Sequence, residues 1–141
     1  MTNDVKKLVL AANMSFYHAL EAKDLAAMDE VWMQSSEARC IHPTGKVFTG
    51  WSEVRQCWQS LFDSLPSLKF SLQHVHVILN GEIAVITLKE NVSVNGRGIT
   101  QSLWLSATNV FVFADGAWKM AVHHASPFAS EATRDMSFLY N

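Results

Sequence analysis

Four polar side chains interrupt apolar patterns in this chain: His42, Glu90, Asn109 and His123. Two are imidazoles, which titrate near neutrality and can give or take a proton. Glu90 is a carboxyl group whose pKa rises on burial and falls beside a cation. Asn109 carries an amide that donates and accepts, suited to a ligand carbonyl or to a bond with Glu90. The two histidines sit in short segments, Cys40-Ile41-His42-Pro43-Thr44-Gly45 and Trp118-Lys119-Met120-Ala121-Val122-His123-His124-Ala125-Ser126-Pro127. Each segment is a strand-like run that ends in imidazole and proline, a plausible lining for a pocket.

Strand parity is what singles these residues out, because successive strand residues point to opposite faces. Ala84, Ile86, Leu88, Val92 and Val94 share one parity with Glu90, while Lys89, Asn91 and Ser93 take the other. Leu103, Leu105, Ala107 and Phe111 share theirs with Asn109. Trp118, Met120 and Val122 fall with His124, and Ala121 and Ala125 fall with His123. One of the paired histidines therefore faces inward and the other outward, so the two cannot chelate one ion together. Six histidines invite a metal reading, with His74 and His76 on one parity, but HExxH, carboxylate clusters and Cys/His ligand spacings are absent. No metal and no cofactor is expected. Cys40 and Cys57 read as small buried thiols, with a catalytic cysteine as the sharper alternative.

The elements that must carry these residues follow from periodicity. Val5, Leu8, Val9, Ala12, Phe16, Ala19 and Leu20 recur at helical spacing and predict a helix over 4–22. Asp24 can cap a second over 24–33, burying Leu25, Met28, Val31 and Trp32. Short strands are expected near 38–42 and 46–49. A third helix over 51–64 carries the stripe Trp51, Val54, Trp58, Leu61, Phe62 and Leu65 and stops at Pro66. From there the period becomes two, predicting strands over 68–79, 82–94, 99–113 and 117–125. Asn80-Gly81 and Asp115-Gly116 mark hairpins. Phe70 and Leu72 differ in parity from Val75, Val77 and Leu79, which predicts a β-bulge near Gln73-His74. The result is one α+β domain, 1–127, whose helices cover one face of an antiparallel sheet, followed by a tail, 128–141, either helical across a dimer or disordered.

Composition narrows the partners. The chain has 141 residues, 49% of them hydrophobic, enough for one sizeable core. Charged residues make up 17%, below the globular norm of roughly 25%. Mean hydropathy is +0.07. Trp104, Val110 and Val112 give the third long strand a second apolar face, so a homodimer through the outer sheet face is expected. A net charge of −2 argues against nucleic acid and anionic membranes, which favour a basic field. Met1 leads directly into Thr2-Asn3-Asp4 and no apolar run nears the roughly 20 residues of a membrane span. A cytoplasmic protein with reduced thiols is expected.

The layout resembles the nuclear transport factor 2-like superfamily, with its SnoaL-like and ketosteroid isomerase-like members. The matching residues are Phe16-Tyr17-His18-Ala19-Leu20-Glu21-Ala22-Lys23-Asp24-Leu25, Cys40 to Gly45 with Gly50-Trp51, and Asp115-Gly116-Ala117-Trp118-Lys119-Met120. Val122-His123-His124-Ala125-Ser126-Pro127 is similar to the last strand of the calcium/calmodulin-dependent protein kinase II association domain. The resemblance implies a cone-shaped, strongly curved sheet closed on one side by three helices. His42-Pro43 falls where the isomerases place the Asp-Pro of their general base, which implies His42 as acid or base. Glu90 or His123 would be its partner and Asn109 the oxyanion donor. The isomerases' oxyanion-donating Tyr falls at Phe16, which has no donor. The association domain's basic pocket residues fall near Glu90, Asn109 and Ala125, so that anion site is absent. The implied cavity is lined by Phe16, Trp32, Trp51 and Trp58, with Phe62, Leu105 and Phe111 beyond them, and takes a small, largely apolar ligand. Such a domain isomerises, hydrates or cyclises a carbonyl compound, or it binds or assembles without catalysis.

Overall fold

Asp24 separates the first two helices of the chain and caps the second. Its side chain accepts from the Ala27 amide at 3.0 Å, while its own amide reaches back to the Ala19 carbonyl. Lys23 makes that stop in the left-handed region, φ 51°, and its ammonium donates to the Leu65 carbonyl at 2.6 Å. One residue thus ends the first helix and ties it to the end of the third. The computed structural model describes residues 2–96 and 98–128. Its helices are α1 (Thr2–Ala22), α2 (Leu25–Val31) and α3 (Trp51–Ser64); its strands are β1 (Arg39–Ile41), β2 (Val47–Thr49), β3 (Leu68–Asn80), β4 (Ile83–Gly96), β5 (Ile99–Ala114) and β6 (Ala117–Pro127). The α+β class and all nine expected elements are present. The tail expected over 128–141 lies, from 129 onward, outside the described residues. No helix among the described residues is long and apolar enough to cross a membrane.

The six strands form one open sheet in the order β2-β1-β6-β5-β4-β3. Its long strands pair antiparallel as expected, but the sheet as a whole is mixed, because β1 runs parallel to β6. The expected antiparallel pairing of the four long strands is thus present, and β1 adds one parallel pairing to it. The chain leaves α2 alongside the last strand, where Trp32 already bridges Met120 in parallel, and β1 continues that direction. This crossover sets Cys40 beside His123.

Two irregularities decide which side chains face the helices. In β3 the register slips between Gln73 and His76 around a left-handed His74, φ 54°, where the parity change predicts a bulge. In β6 Val110 pairs with Val122 and Phe111 with Met120, leaving Ala121 as the extra residue. Met120 therefore points inward with His123, not outward with His124; the expected parity of β6 fails at this bulge. A shift in α1 matters as much. Its buried stripe runs Val9, Asn13, Phe16, Tyr17, Leu20, while Leu8 is 59% exposed. The expected stripe, which counts Leu8 among its members, is rotated so that Asn13 is inside. The Asp115-Gly116 hairpin has φ > 0 at both central residues, the type I′ pattern. At the other hairpin Asn80 pairs with Ile83, so the turn residues are Gly81 and Glu82. Only Gly81 of these is left-handed, φ 60°, the pattern of type II′.

Candidate functional site

A chain of hydrogen bonds crosses the space between α1 and the sheet. His123 on β6 has Nδ1 2.6 Å from Asn109 Oδ1 on β5. The Asn109 amide donates to Asn13 Oδ1 at 2.8 Å and to the Tyr17 hydroxyl at 3.1 Å, both on α1. Tyr17 in turn donates to Glu90 Oε2 on β4 at 2.5 Å. Because Asn109 spends both amide hydrogens on α1, its oxygen must accept, and His123 carries its proton on Nδ1. From His123 through Asn109 and Tyr17 the donors run toward the Glu90 carboxyl, with Asn13 as a side branch.

All the members are buried, and burial dominates their titration. Removal from water pushes the Glu90 carboxyl up to about 7, with the Tyr17 bond offsetting part of the rise. Glu90 Oε1 is buried without a hydrogen-bond partner among the described residues. Burial pushes His123 down to about 3, with His42 and His124 pressing the same way, so it is a neutral imidazole at physiological pH.

His42 belongs to a second cluster. Its Nε2 lies 3.7 Å from Cys57 Sγ on α3, and its ring packs against Phe48 and Trp58 at 5.2 and 5.5 Å between centroids. Cys40 completes the group. A hydrogen bond with Cys40, then the bond and charge of His42 and the charge of Lys46, hold the Cys57 thiol down to about 6 against the opposing effect of burial. Burial pushes Cys40 well above the usual thiol range. The structure therefore joins Glu90, Asn109 and His123 in one network and sets His42 with the two cysteines, with Trp58 packed against both His42 and His123. Asn13, Tyr17 and the pairing of both cysteines with His42 escaped the sequence reading. Asn13 and Tyr17 are four apart on α1, the spacing that puts two polar groups on one helix face; that was the available signal.

The aromatic side chains expected to line a cavity pack against one another. Phe16 meets Trp32 and Trp58 edge-on at 6.1 and 5.7 Å and the His123 ring at 4.7 Å. Trp32 stacks on the half-buried Trp51 at 5.9 Å. Leu105, Phe111 and Phe62 are buried in the same core. Trp32 and Trp58 both hold an indole N–H with no partner among the described residues. A groove of about 390 Å³ opens between α1 and β3, lined by Leu10, Asn13, Met14, Phe70, Leu72 and Val75. Its inner wall adjoins the network: Phe70 packs on the Tyr17 ring at 5.2 Å, and Leu72 stands opposite Glu90 across the β3–β4 pair.

Residues 9–130 match the SnoaL-like domain family, and the chain belongs to it. The chain is 31% identical over 120 residues to F-box protein SKIP8 of Arabidopsis thaliana, covering 85% of this chain and 49% of that protein, so it spans about half the length of this curated relative. Among solved structures it is similar to a candidate dehydratase of the NTF2-like family from Streptomyces avermitilis, at 27% identity and TM-score 0.87, covering 92% of this chain and 99% of the other. It is also similar to a candidate calcium/calmodulin-dependent protein kinase type II association domain from Thiobacillus denitrificans, at 30% identity and TM-score 0.75, over 84% and 93% of the two chains. The superfamily expected from the sequence is thereby shown.

Proposed function

We propose that this SnoaL-like domain binds a small, largely apolar carbonyl compound and moves a proton on it with Glu90. The observation that carries this reading is the Glu90 carboxyl itself, buried with Oε2 bonded to Tyr17 and Oε1 unpartnered among the described residues. A carboxyl group that titrates near neutrality can hold a proton or release one at little cost, which a general acid–base needs. This reading gives to Glu90 the acid–base role expected of His42, whose described contacts include Cys57, Phe48 and Trp58. Neutral His123 holds Asn109, and Asn109 holds the Tyr17 hydroxyl against the carboxyl. Ligand reaches Glu90 by displacing Phe70 and Leu72 at the floor of the α1 groove. The Streptomyces relative, described as a candidate dehydratase, supports the reading, since loss of water next to a carbonyl requires proton abstraction and protonation of the departing hydroxyl.

The test is a panel of cyclic β-hydroxyketones, with enone formation followed by absorbance and α-carbon deuteration followed by NMR. The wild-type protein should accelerate one of these with a pH limb near 7, and Glu90→Gln should lose roughly 10²–10⁴-fold. Equal rates in wild type and Glu90→Gln would sink the assignment. A second reading, a dimeric assembly domain, is supported by the likeness to the Thiobacillus association domain and by the apolar outer face of the sheet.

A further inference from the structure

The Cys40, His42 and Cys57 cluster shares none of the hydrogen bonds described for the Glu90 network, and it brings three metal-ligating side chains together among the described residues. Cys40 lies on β1 and His42 directly after its last residue, while Cys57 meets them from α3. The donor atoms of all three lie within 4.8 Å of one another, and all three residues are buried. Tetrahedral zinc, with Zn–S about 2.3 Å and Zn–N about 2.0–2.1 Å, sets its donors roughly 3.5–3.8 Å apart. The 3.7 Å between His42 Nε2 and Cys57 Sγ falls in that range, and the two spacings from Cys40, each within 4.8 Å, need a closure of about 1.3 Å at most.

We propose that Cys40, His42 and Cys57 form a zinc-binding site, with the fourth position left to water. Two thiolates and a neutral imidazole balance the ion's charge, so the loaded site is neutral inside an apolar surround that would penalise net charge. Loading releases up to two protons, one from each thiol, and involves no redox change. The donor set also fits the metal: thiolates with imidazole select zinc over the magnesium or calcium that oxygen donors favour. Entry is by way of the β1–β2 hairpin, which is held by only three residue pairs and whose turn residues Thr44 and Gly45 are exposed. Loading would pin this hairpin to α3.

The experiment uses the full chain, reduced, stripped with chelator and titrated with Co²⁺ followed by Zn²⁺. One cobalt ion per chain should bind with a thiolate-to-cobalt charge-transfer band, and zinc should bleach it. That band reports thiolate ligation, so binding at the exposed His74 or His76 does not mimic it. Cys57→Ser and Cys40→Ser should lose the band and weaken binding by more than the roughly 100-fold that loss of an outer-sphere partner costs. Zinc should also protect both thiols of the wild-type protein from a thiol-modifying reagent, a readout that does not depend on any variant folding. Absence of the band in the wild-type chain, thiols modified equally with and without zinc, or a folded Cys57→Ser chain that binds cobalt as tightly as wild type would each overturn the site.

Discussion

Glu90 and His123 impose opposite pH dependences on the fold. Glu90 titrates at about 7 in the folded chain against an ordinary 4.5, so the folded state holds its proton more tightly than the unfolded one. Stability from this group is full below 4.5 and is lost as pH rises through 7, by about 3 kcal/mol. His123 falls to about 3 from an ordinary 6.5, so its contribution is full above 6.5 and is lost as pH falls through 3. Between 4.5 and 6.5 the two slopes oppose each other. Urea unfolding across pH should therefore show a plateau there, a fall on the acid side from His123 and a fall toward pH 8 from Glu90. Glu90→Gln should abolish the alkaline fall and gain on wild type as pH rises from 5 to 8; an unchanged pH profile would show that Glu90 does not titrate in this range. The sequence revealed the carboxyl, the amide and the imidazole, because each broke a strand parity. Tyr17 was legible only through its spacing of four from Asn13, since a tyrosine on an apolar helix face otherwise looks like core until its hydroxyl is seen to have a partner.

Bulges, caps and one close approach set how these residues meet. Element types were legible because the hydrophobic period changes from helical to two at Pro66, and because Asp24, Asp115-Gly116 and Pro66 punctuate the chain. The β3 bulge was legible too, since apolar residues flank it on both sides and the parity slip is visible. The β6 bulge was not: Ala121 is small enough to suit either face, so nothing in the sequence betrays the extra residue. The parallel β1–β6 pairing was likewise hidden, because a three-residue strand carries no periodicity to read. Gly96 is a further constraint at this scale. A Cβ added there would stand 2.5 Å from Cγ of Pro66, two residues past the end of α3. Gly96→Ala should therefore cost about 1–3 kcal/mol through a strained contact between β4 and the α3–β3 connection. In denaturant titrations Pro66→Ala in the same chain should recover much of that loss. If the double variant is no more stable than Gly96→Ala, the close approach is not what the glycine serves.

At the scale of the molecule, the outer sheet face decides whether one chain is the whole protein. Ile78, Val85, Val110 and Val122 stand side by side across β3, β4, β5 and β6, a continuous apolar row on the face away from the helices. Ile78 is 52% exposed, and the other three are half-buried by their neighbours alone. Trp104 on the same face is partly answered within the chain, where Phe128 stacks on it at 6.1 Å and Lys89 reaches over Phe128 at 5.1 Å. The row through Val110 has no such cover among the described residues. In a chain with only 17% charged residues, the simplest cover for this row is a second copy placed by two-fold symmetry. A stable contact needs about 800 Å² per partner, which a row four strands wide together with Val112 and the ends of the flanking strands can supply. Wild-type protein should sediment as a dimer at micromolar concentration. Val110→Lys would set an ammonium near the two-fold axis, opposite its own symmetry copy, and should shift the protein to monomer while leaving far-UV circular dichroism and the Glu90 titration intact. The Glu90 network lies on the opposite face of the sheet, so ligand binding should survive that shift. A wild-type monomer at these concentrations, or a Val110→Lys protein that still sediments as a dimer, would remove the outer face from the interface.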